Sequence, residues 1–94
     1  DYNNALFQYI LAVLTAFYAE KKAVPIRETK GMICSEFVMC YPPGIPILAP
    51  GEMITPEIIE YIIYAKEKGC SMQGTEDPAV EHLNVLVDDR QVWK

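Results

Sequence analysis

The chain has 94 residues, of which 51% are hydrophobic and 22% are charged. A chain of this length forms one core and has no room for a two-domain enzyme with a cleft between its domains. Its apolar content excludes disorder, because so much apolar surface can offset the entropy of ordering. Thirteen acidic residues against eight basic ones give a net charge of -5, which opposes binding to nucleic acid or to an anionic membrane.

The cysteines are three in number and scattered: Cys34, Cys40 and Cys70 form no Cys-x-x-Cys pair, and the chain has one histidine. This pattern argues against a disulfide framework and against a zinc site. We therefore expect no metal and three free thiols, buried as small apolar side chains in a reducing cytoplasm.

The longest apolar stretch runs from Ala5 to Ala19, which is shorter than the roughly 20 residues of a membrane span. It follows polar residues and not the basic segment of a signal peptide, so secretion is not supported. We expect a buried helix near residues 4–19, capped by Asn3 or Asn4 and closed by lysines in its last turn. Since this helix is apolar over more than half of its circumference, it needs cover from two directions, which points to a partner surface.

Short strands are expected near residues 23–28, 32–40, 71–73 and 83–87 from their apolar alternation. Pro25 makes the first an edge strand, because proline cannot donate to an inner ladder. In the second strand Glu36 falls among apolar neighbours. A surface carboxylate on a half-exposed strand is the favoured interpretation of this residue.

The most unusual segment is residues 41–52, with the sequence YPPGIPILAPGE. Its four prolines fix φ and remove amide donors, and its two Pro-Gly pairs predict turns. The apolar residues between the turns argue against a flexible linker. We therefore expect a rigid, buried connection close to a functional site. The simpler alternative is a purely structural turn that orients the next helix. The predicted rigid loop consists of Pro42, Pro43, Gly44, Pro46, Pro50 and Gly51.

The clearest helix is predicted over residues 56–68, opened by Thr55 as cap and Pro56 at the first helical position. Beyond it, Glu76 and Asp77 form an acidic pair. Paired carboxylates can bind a cation or serve acid/base chemistry, although a solvated turn is the more common structure. An independent enzyme that uses this pair with His82 is a weak hypothesis, because the three lack an activated nucleophile or a metal set.

Residues 41–52 resemble the C-terminal domain of the ornithine/lysine/arginine decarboxylases, which are bacterial pyridoxal-phosphate enzymes of the aspartate aminotransferase-like fold. The resemblance extends over about residues 16–87, including Gln73-Gly74-Thr75-Glu76-Asp77-Pro78. The chain departs from the family pattern in two places. The family's turn before Ala16 is missing from this chain. Two separate elements are therefore an alternative to the single helix predicted over residues 4–19. The Schiff-base lysine and the cofactor-binding aspartate and histidine are also missing, because they belong to the large upstream domain.

The resemblance implies an α+β fold with a small mixed or antiparallel sheet and two main helices. Residues 1–94 are then a single domain, excised from the C-terminus of a larger enzyme. That parent decarboxylates a basic amino acid with pyridoxal phosphate, which absorbs the electrons of the carbanion; arginine is favoured over lysine and ornithine, and the product is a diamine or agmatine of polyamine biosynthesis. The fragment itself is expected to bind no cofactor and to be inactive.

The implied partners are the catalytic domain of the same chain, a homo-oligomer partner and the basic amino acid. Carboxylates at the mouth of the active site would attract the distal cation of such a substrate. For this substrate entrance we select Glu76 and Asp77, with Glu52 and Glu36 behind them. The alternative is a stand-alone interaction or regulatory module that kept the fold without catalysis. Several hundred residues upstream would favour the enzyme, and a natural start near Asp1 would favour the module.

Overall fold

The fold is α+β over the residues that the computed structural model describes, 2–41 and 44–88. Its elements in chain order are α1 (Tyr2–Tyr18), β1 (Lys21–Pro25), β2 (Val38–Tyr41), β3 (Ile45–Leu48), α2 (Pro56–Glu67), β4 (Ser71–Gln73) and β5 (His82–Leu86). One 3-10 turn, Ile26–Glu28, follows β1. The predicted α+β class with two main helices is confirmed.

The strands form two small antiparallel sheets. In the first, β1 pairs with β5, from Lys21 opposite Leu86 to Pro25 opposite His82. The second has the order β3-β2-β4. An isolated antiparallel bridge between Cys34 and β5 joins the segment before β2 to the first sheet, so residues 33–37 connect the two sheets.

Helix α2 forms where the sequence predicts it. The side chain of Thr55 accepts a hydrogen bond from the Ile58 N–H at 3.2 Å, and Pro56 occupies the first turn, where it has no intrahelical donor to lose. One face of α2 is buried against the sheets through Ile59, Ile62 and Ala65. The core on which this face packs includes Val24, Val38, Leu48, Ile54, Met72, Leu83 and Val85.

Helix α1 is one continuous helix, so the alternative of two elements meeting near Ala16 is wrong. Asn3 and Asn4 lie inside the helix and not before it, so the predicted cap is wrong as well. The two lysines expected in the last turn belong to β1. Lys21 nevertheless donates to the carbonyl of Phe17, which satisfies a free acceptor at the helix end.

The attachment of α1 to the rest of the chain is confined to its last turns. Ala16 is fully buried and packs with Ile33 and Leu86. The hydroxyl of Ser35 donates to the Ala16 carbonyl at 2.8 Å. Residues 3–11 are all exposed, so the expected burial of the helix does not occur within the described residues.

The strand predicted over residues 32–40 is interrupted. Only Val38–Tyr41 forms a ladder, while Ile33 and Cys34 make isolated bridges. The backbone leaves the strand conformation around Glu36, whose side chain turns inward. The strand predicted over residues 23–28 ends at Pro25, because the 3-10 turn takes over. The short strands predicted near 71–73 and 83–87 are confirmed by β4 and β5.

The proline-rich segment contains β3, where the sequence predicts a rigid connection and no strand. The segment is only partly buried, since Leu48 is 1% exposed and Ile45 is 44% exposed. Gly44 and Gly51 have φ values of +91° and +96°, as their predicted turns require. A Cβ on Gly44 would lie 2.8 Å from the ring of Tyr41. Pro42 and Pro43 of the predicted rigid loop lie outside the described residues, whereas Pro46 lies in β3 and Pro50 is fully buried.

Candidate carboxylate site

The carboxylate of Glu36 is buried and joins two distant parts of the chain. Its side chain is 5% exposed, so the expectation of a surface carboxylate is wrong. Oε1 accepts the N–H of Glu76 at 2.9 Å, and Oε2 accepts the N–H of Asn84 at 2.7 Å. These two donors explain why Glu36 leaves the strand: its oxygens satisfy amides that would otherwise be buried without partners.

Asp77 organises the turn that leads into β5. One oxygen of its carboxylate accepts the N–H of Ala79 at 3.1 Å, and the other accepts the N–H groups of Glu81 and His82 at 2.9 and 3.1 Å. His82 Nδ1 lies 3.7 Å from the same oxygen, so His82 has the partner that the sequence did not reveal. Loss of solvent contact by itself raises the pKa of Asp77, but the three backbone donors and the His82 charge outweigh it and lower the pKa below its ordinary 3.8.

The same turn holds a strained residue. Val80 has a φ of +51° and is fully buried, although β-branched residues rarely adopt this region. Its N–H donates to the Asp77 carbonyl at 3.0 Å. The Asp77 carboxylate accepts the N–H groups of Ala79 and Glu81, on either side of Val80. These hydrogen bonds hold the Val80 backbone in an otherwise unfavourable conformation.

Glu76 is exposed, and its backbone is fixed on both sides. Its own N–H is bound by Glu36, and the neighbouring Thr75 hydroxyl donates to the Asp77 carbonyl at 2.8 Å. Gly74 approaches the backbone of Phe37 so closely that a Cβ would lie 2.8 Å from the Phe37 carbonyl oxygen. Glu76 thus presents a free-standing carboxylate on an ordered backbone.

Glu52 is connected to the segment that carries Glu36 by a backbone hydrogen bond with Cys34. The Glu52 carbonyl accepts the Cys34 N–H at 2.9 Å, and its exposed carboxylate accepts the Ala49 N–H at 2.7 Å. Burial, together with the smaller effect of the Glu36 and Glu52 charges, raises the pKa of Cys34 to about 12, although backbone contacts with Glu36 and Ser35 lower it. The structure therefore brings Glu36, Glu76 and Asp77 together and connects Glu52 to them across Cys34.

The three thiols are free, and the expectation that all of them are buried is wrong for Cys70. Cys34 and Cys40 are buried and Cys70 is half-buried. Burial and a side-chain contact with Cys70 raise the pKa of Cys40. Across residues 2–41 and 44–88, no group of three or more potential ligands is arranged to hold a metal ion.

The described residues do not fit pyridoxal phosphate. That cofactor requires an enclosed lysine for the Schiff base and a partner for its ring nitrogen. The five lysines between residues 2 and 88 are exposed or half-buried. The half-buried one, Lys66, donates to the Val80 carbonyl at 3.3 Å.

No helix in the described part of the chain is long and apolar enough to cross a membrane.

The fold places the chain among decarboxylase domains. It is similar to the crystal structure of the lysine decarboxylase LdcF of Francisella novicida, with a TM-score of 0.54 and 27% sequence identity over 79% of this chain and 12% of that chain. Residues 4–83 match the family model described as Orn/Lys/Arg decarboxylase, C-terminal domain. The chain therefore belongs to this family.

Two curated relatives show the range of names within the family. The chain is 44% identical to an arginine decarboxylase of Bacillus subtilis over 82% of its own length and 16% of the relative's length. It is 40% identical to the lysine decarboxylase LdcA of Pseudomonas aeruginosa over 50% of its own length and 7% of that relative. The chain thus spans less than a fifth of the relatives that it matches.

Proposed function

We propose that residues 1–94 form the C-terminal domain of a longer, pyridoxal-phosphate-dependent decarboxylase of a basic amino acid in the cytoplasm, with arginine as the favoured substrate. The observation that carries the proposal is the 44% identity to an arginine decarboxylase over 82% of the chain. Because the described residues do not fit the cofactor, the bond-breaking step is assigned to the rest of the polypeptide. The domain contributes assembly and the shape of the substrate entrance, in a homo-oligomeric enzyme of polyamine biosynthesis.

The assembly role is supported by the exposed apolar surface of α1. This helix has no acidic or basic residue between Tyr2 and Tyr18, and most of its large side chains face solvent. The exposed ones are Leu6, Phe7, Tyr9, Ile10, Leu11, Leu14 and Tyr18, with exposed fractions between 42% and 78%. A contiguous apolar surface of this kind is typical of a protein interface, and the catalytic domain of the same polypeptide is the occupant that we assign to it.

The entrance role is supported by the placement of Glu76. It is exposed, its carboxylate forms no hydrogen bond or ion pair within residues 2–41 and 44–88, and its backbone is fixed by Glu36. A basic amino acid carries its second cation at the end remote from the reacting carbon. A carboxylate at the entrance attracts and orients this end, and the net charge of -5 favours the approach of any cation. Asp77 holds the turn, and Glu52 and Glu36 lie behind it.

The test is Glu76→Gln in the full-length enzyme, assayed by carbon dioxide release. We expect KM for arginine to rise about two- to fivefold, the size of a solvent-exposed ion pair, with kcat unchanged. The difference between variant and parent should shrink at high salt, because exposed charges are screened.

The matched control is Glu67→Gln, which removes an equal charge from an exposed position at the end of α2. It should leave KM unchanged. Citrulline, which has the shape of arginine without the distal cation, should inhibit the parent and the Glu76→Gln enzyme with equal Ki. An unchanged KM for arginine in Glu76→Gln would disprove the entrance role.

A further inference from the structure

We propose that Glu36 is a positioning residue for Glu76: its buried carboxylate holds the Glu76 backbone against β5 and so directs the Glu76 side chain toward the entering substrate. This inference rests on the entrance role given above to Glu76. It assigns Glu36 no contact with substrate, in keeping with an exposed fraction of only 5%.

The first observation is that each oxygen of the buried Glu36 carboxylate accepts one backbone N–H. A buried carboxylate carries a desolvation cost that a neutral side chain avoids. No lysine, arginine or histidine within residues 2–41 and 44–88 forms an ion pair with Glu36 to offset it. An ionised carboxylate, however, is acceptor-only at both oxygens. Glutamine in the same position would place its amide NH2 against one of the two N–H groups, so it would satisfy one donor where glutamate satisfies both.

The second observation is what the two oxygens connect. Oε1 binds the N–H of Glu76, 40 residues later, and Oε2 binds the N–H of Asn84 in β5, 48 residues later. The backbone beside Glu36 also pairs with β5, because the Ser35 N–H donates to the Asn84 carbonyl at 2.9 Å. Glu36 therefore ties the Glu76 loop to a strand of the first sheet and not merely to its own neighbours.

The third observation is that the loop approaches the Glu36 segment from a second point. Gly74 lies against the Phe37 carbonyl, where a Cβ would come within 2.8 Å of the oxygen, and its φ of +93° favours glycine. On the far side of Glu76, Asp77 is held by three backbone donors. The backbone of Glu76 is thus fixed before, at and after the residue, as preorganisation of a binding group requires.

The experiment is a double-mutant cycle in the full-length enzyme with Glu36→Gln, Glu76→Gln and both changes together. We expect Glu36→Gln to raise KM for arginine about two- to fivefold, as Glu76→Gln does, and the double variant to show no further rise. The coupling is the decisive readout, because a purely structural role of Glu36 would raise KM equally with and without Glu76. Thr29→Val is the control for destabilisation: it removes a buried 2.7 Å hydrogen bond to the Ile26 carbonyl, which involves neither Glu36 nor Glu76, and should leave KM unchanged.

The outcomes separate the two proposals. If Glu76→Gln raises KM and Glu36→Gln does not, or if the two effects add, the positioning role is overturned while the entrance role stands. If Glu76→Gln leaves KM unchanged, the entrance role fails and the positioning role fails with it. Should Glu36→Gln not fold, Gly74→Ala decides, since it displaces the same loop from the Phe37 side. The proposal is supported if Gly74→Ala raises KM alone and causes no further rise in the Glu76→Gln enzyme. It is overturned if the effects of Gly74→Ala and Glu76→Gln on KM add.

Discussion

The two helices of this domain bury their apolar residues in opposite ways. Helix α2 has a fully enclosed face, on which Ile62 is 0% exposed, whereas the equally apolar Ile10 of α1 is 46% exposed. Propensity does not separate them, because both sequences form helices. The difference lies in what covers them: both sheets contribute to the core against α2, and only the last turns of α1 meet the same chain. One helix packs on the core of the domain, and the other leaves most of its large apolar side chains exposed.

The largest expected effect sharpens this contrast by making the same change in both helices of the 94-residue chain. Ile62→Ala should lower the free energy of unfolding by about 2–5 kcal/mol, because it leaves a cavity in the core. Ile10→Ala should change it by less than about 0.5 kcal/mol, as an exposed site does. Urea unfolding followed by circular dichroism measures both. Equal losses would show that α1 is as well packed within the chain as α2.

An intermediate effect is expected when α1 is changed in two contexts. In the full-length enzyme, Phe7→Asp should weaken the docking of the domain by about 1.5–3 kcal/mol, the value of burying one large apolar side chain. Limited proteolysis and thermal unfolding of the full-length enzyme should report the loss. In the 94-residue chain, where Phe7 is 57% exposed, the same change should leave the unfolding midpoint nearly unchanged. Full stability of the Phe7→Asp enzyme would contradict docking through α1.

The smallest effect concerns pH and distinguishes the β5 side of the domain from α1. The pKa of Asp77 is lowered in the folded state from its ordinary 3.8, so its contribution to stability is present above that value and is lost as pH falls through the folded pKa. Below pH 3.8 the parent chain should therefore lose stability more steeply than Asp77→Asn, in acid unfolding followed by fluorescence or circular dichroism. Parallel acid-unfolding curves would argue against the hydrogen bonds assigned to Asp77. The helicity of α1 should not respond directly in this range, because it contains no acidic residue.

Most of the fold was predictable where short-range signals agree. Thr55 and Pro56 define the start of α2 through capping and a fixed φ, and Gly69, which has a φ of +86°, follows its end in a left-handed turn. These signals all act within a few residues. The short strands β4 and β5 were likewise predicted from alternation. The interrupted strand around Glu36 was not predictable in this way, since the donors that draw the side chain inward are 40 and 48 residues away. Nor was β3, because its prolines weaken the strand pattern.

The candidate site was predictable in its members and not in its arrangement. The acidic pair and the resemblance selected Glu76, Asp77, Glu52 and Glu36, but nothing in their spacing distinguishes a buried bridge from an exposed carboxylate. Asn84 was missed, because its contribution is a backbone N–H and no side-chain pattern reports it. A glutamate amid apolar neighbours at Glu36 was the one available signal, and burial was the less favoured interpretation of it.

The sequence by itself determined the family, the two helices, the free thiols and the existence of an apolar surface larger than the domain can cover. These properties follow from composition, periodicity and short motifs, which are local. The tertiary structure alone decided that only the last turns of α1 pack on the rest of the described chain, and that Glu36 is buried while Glu76 is exposed. Such decisions depend on which distant segments meet, because a carboxylate becomes a buried acceptor only where the fold brings unpaired amides to it.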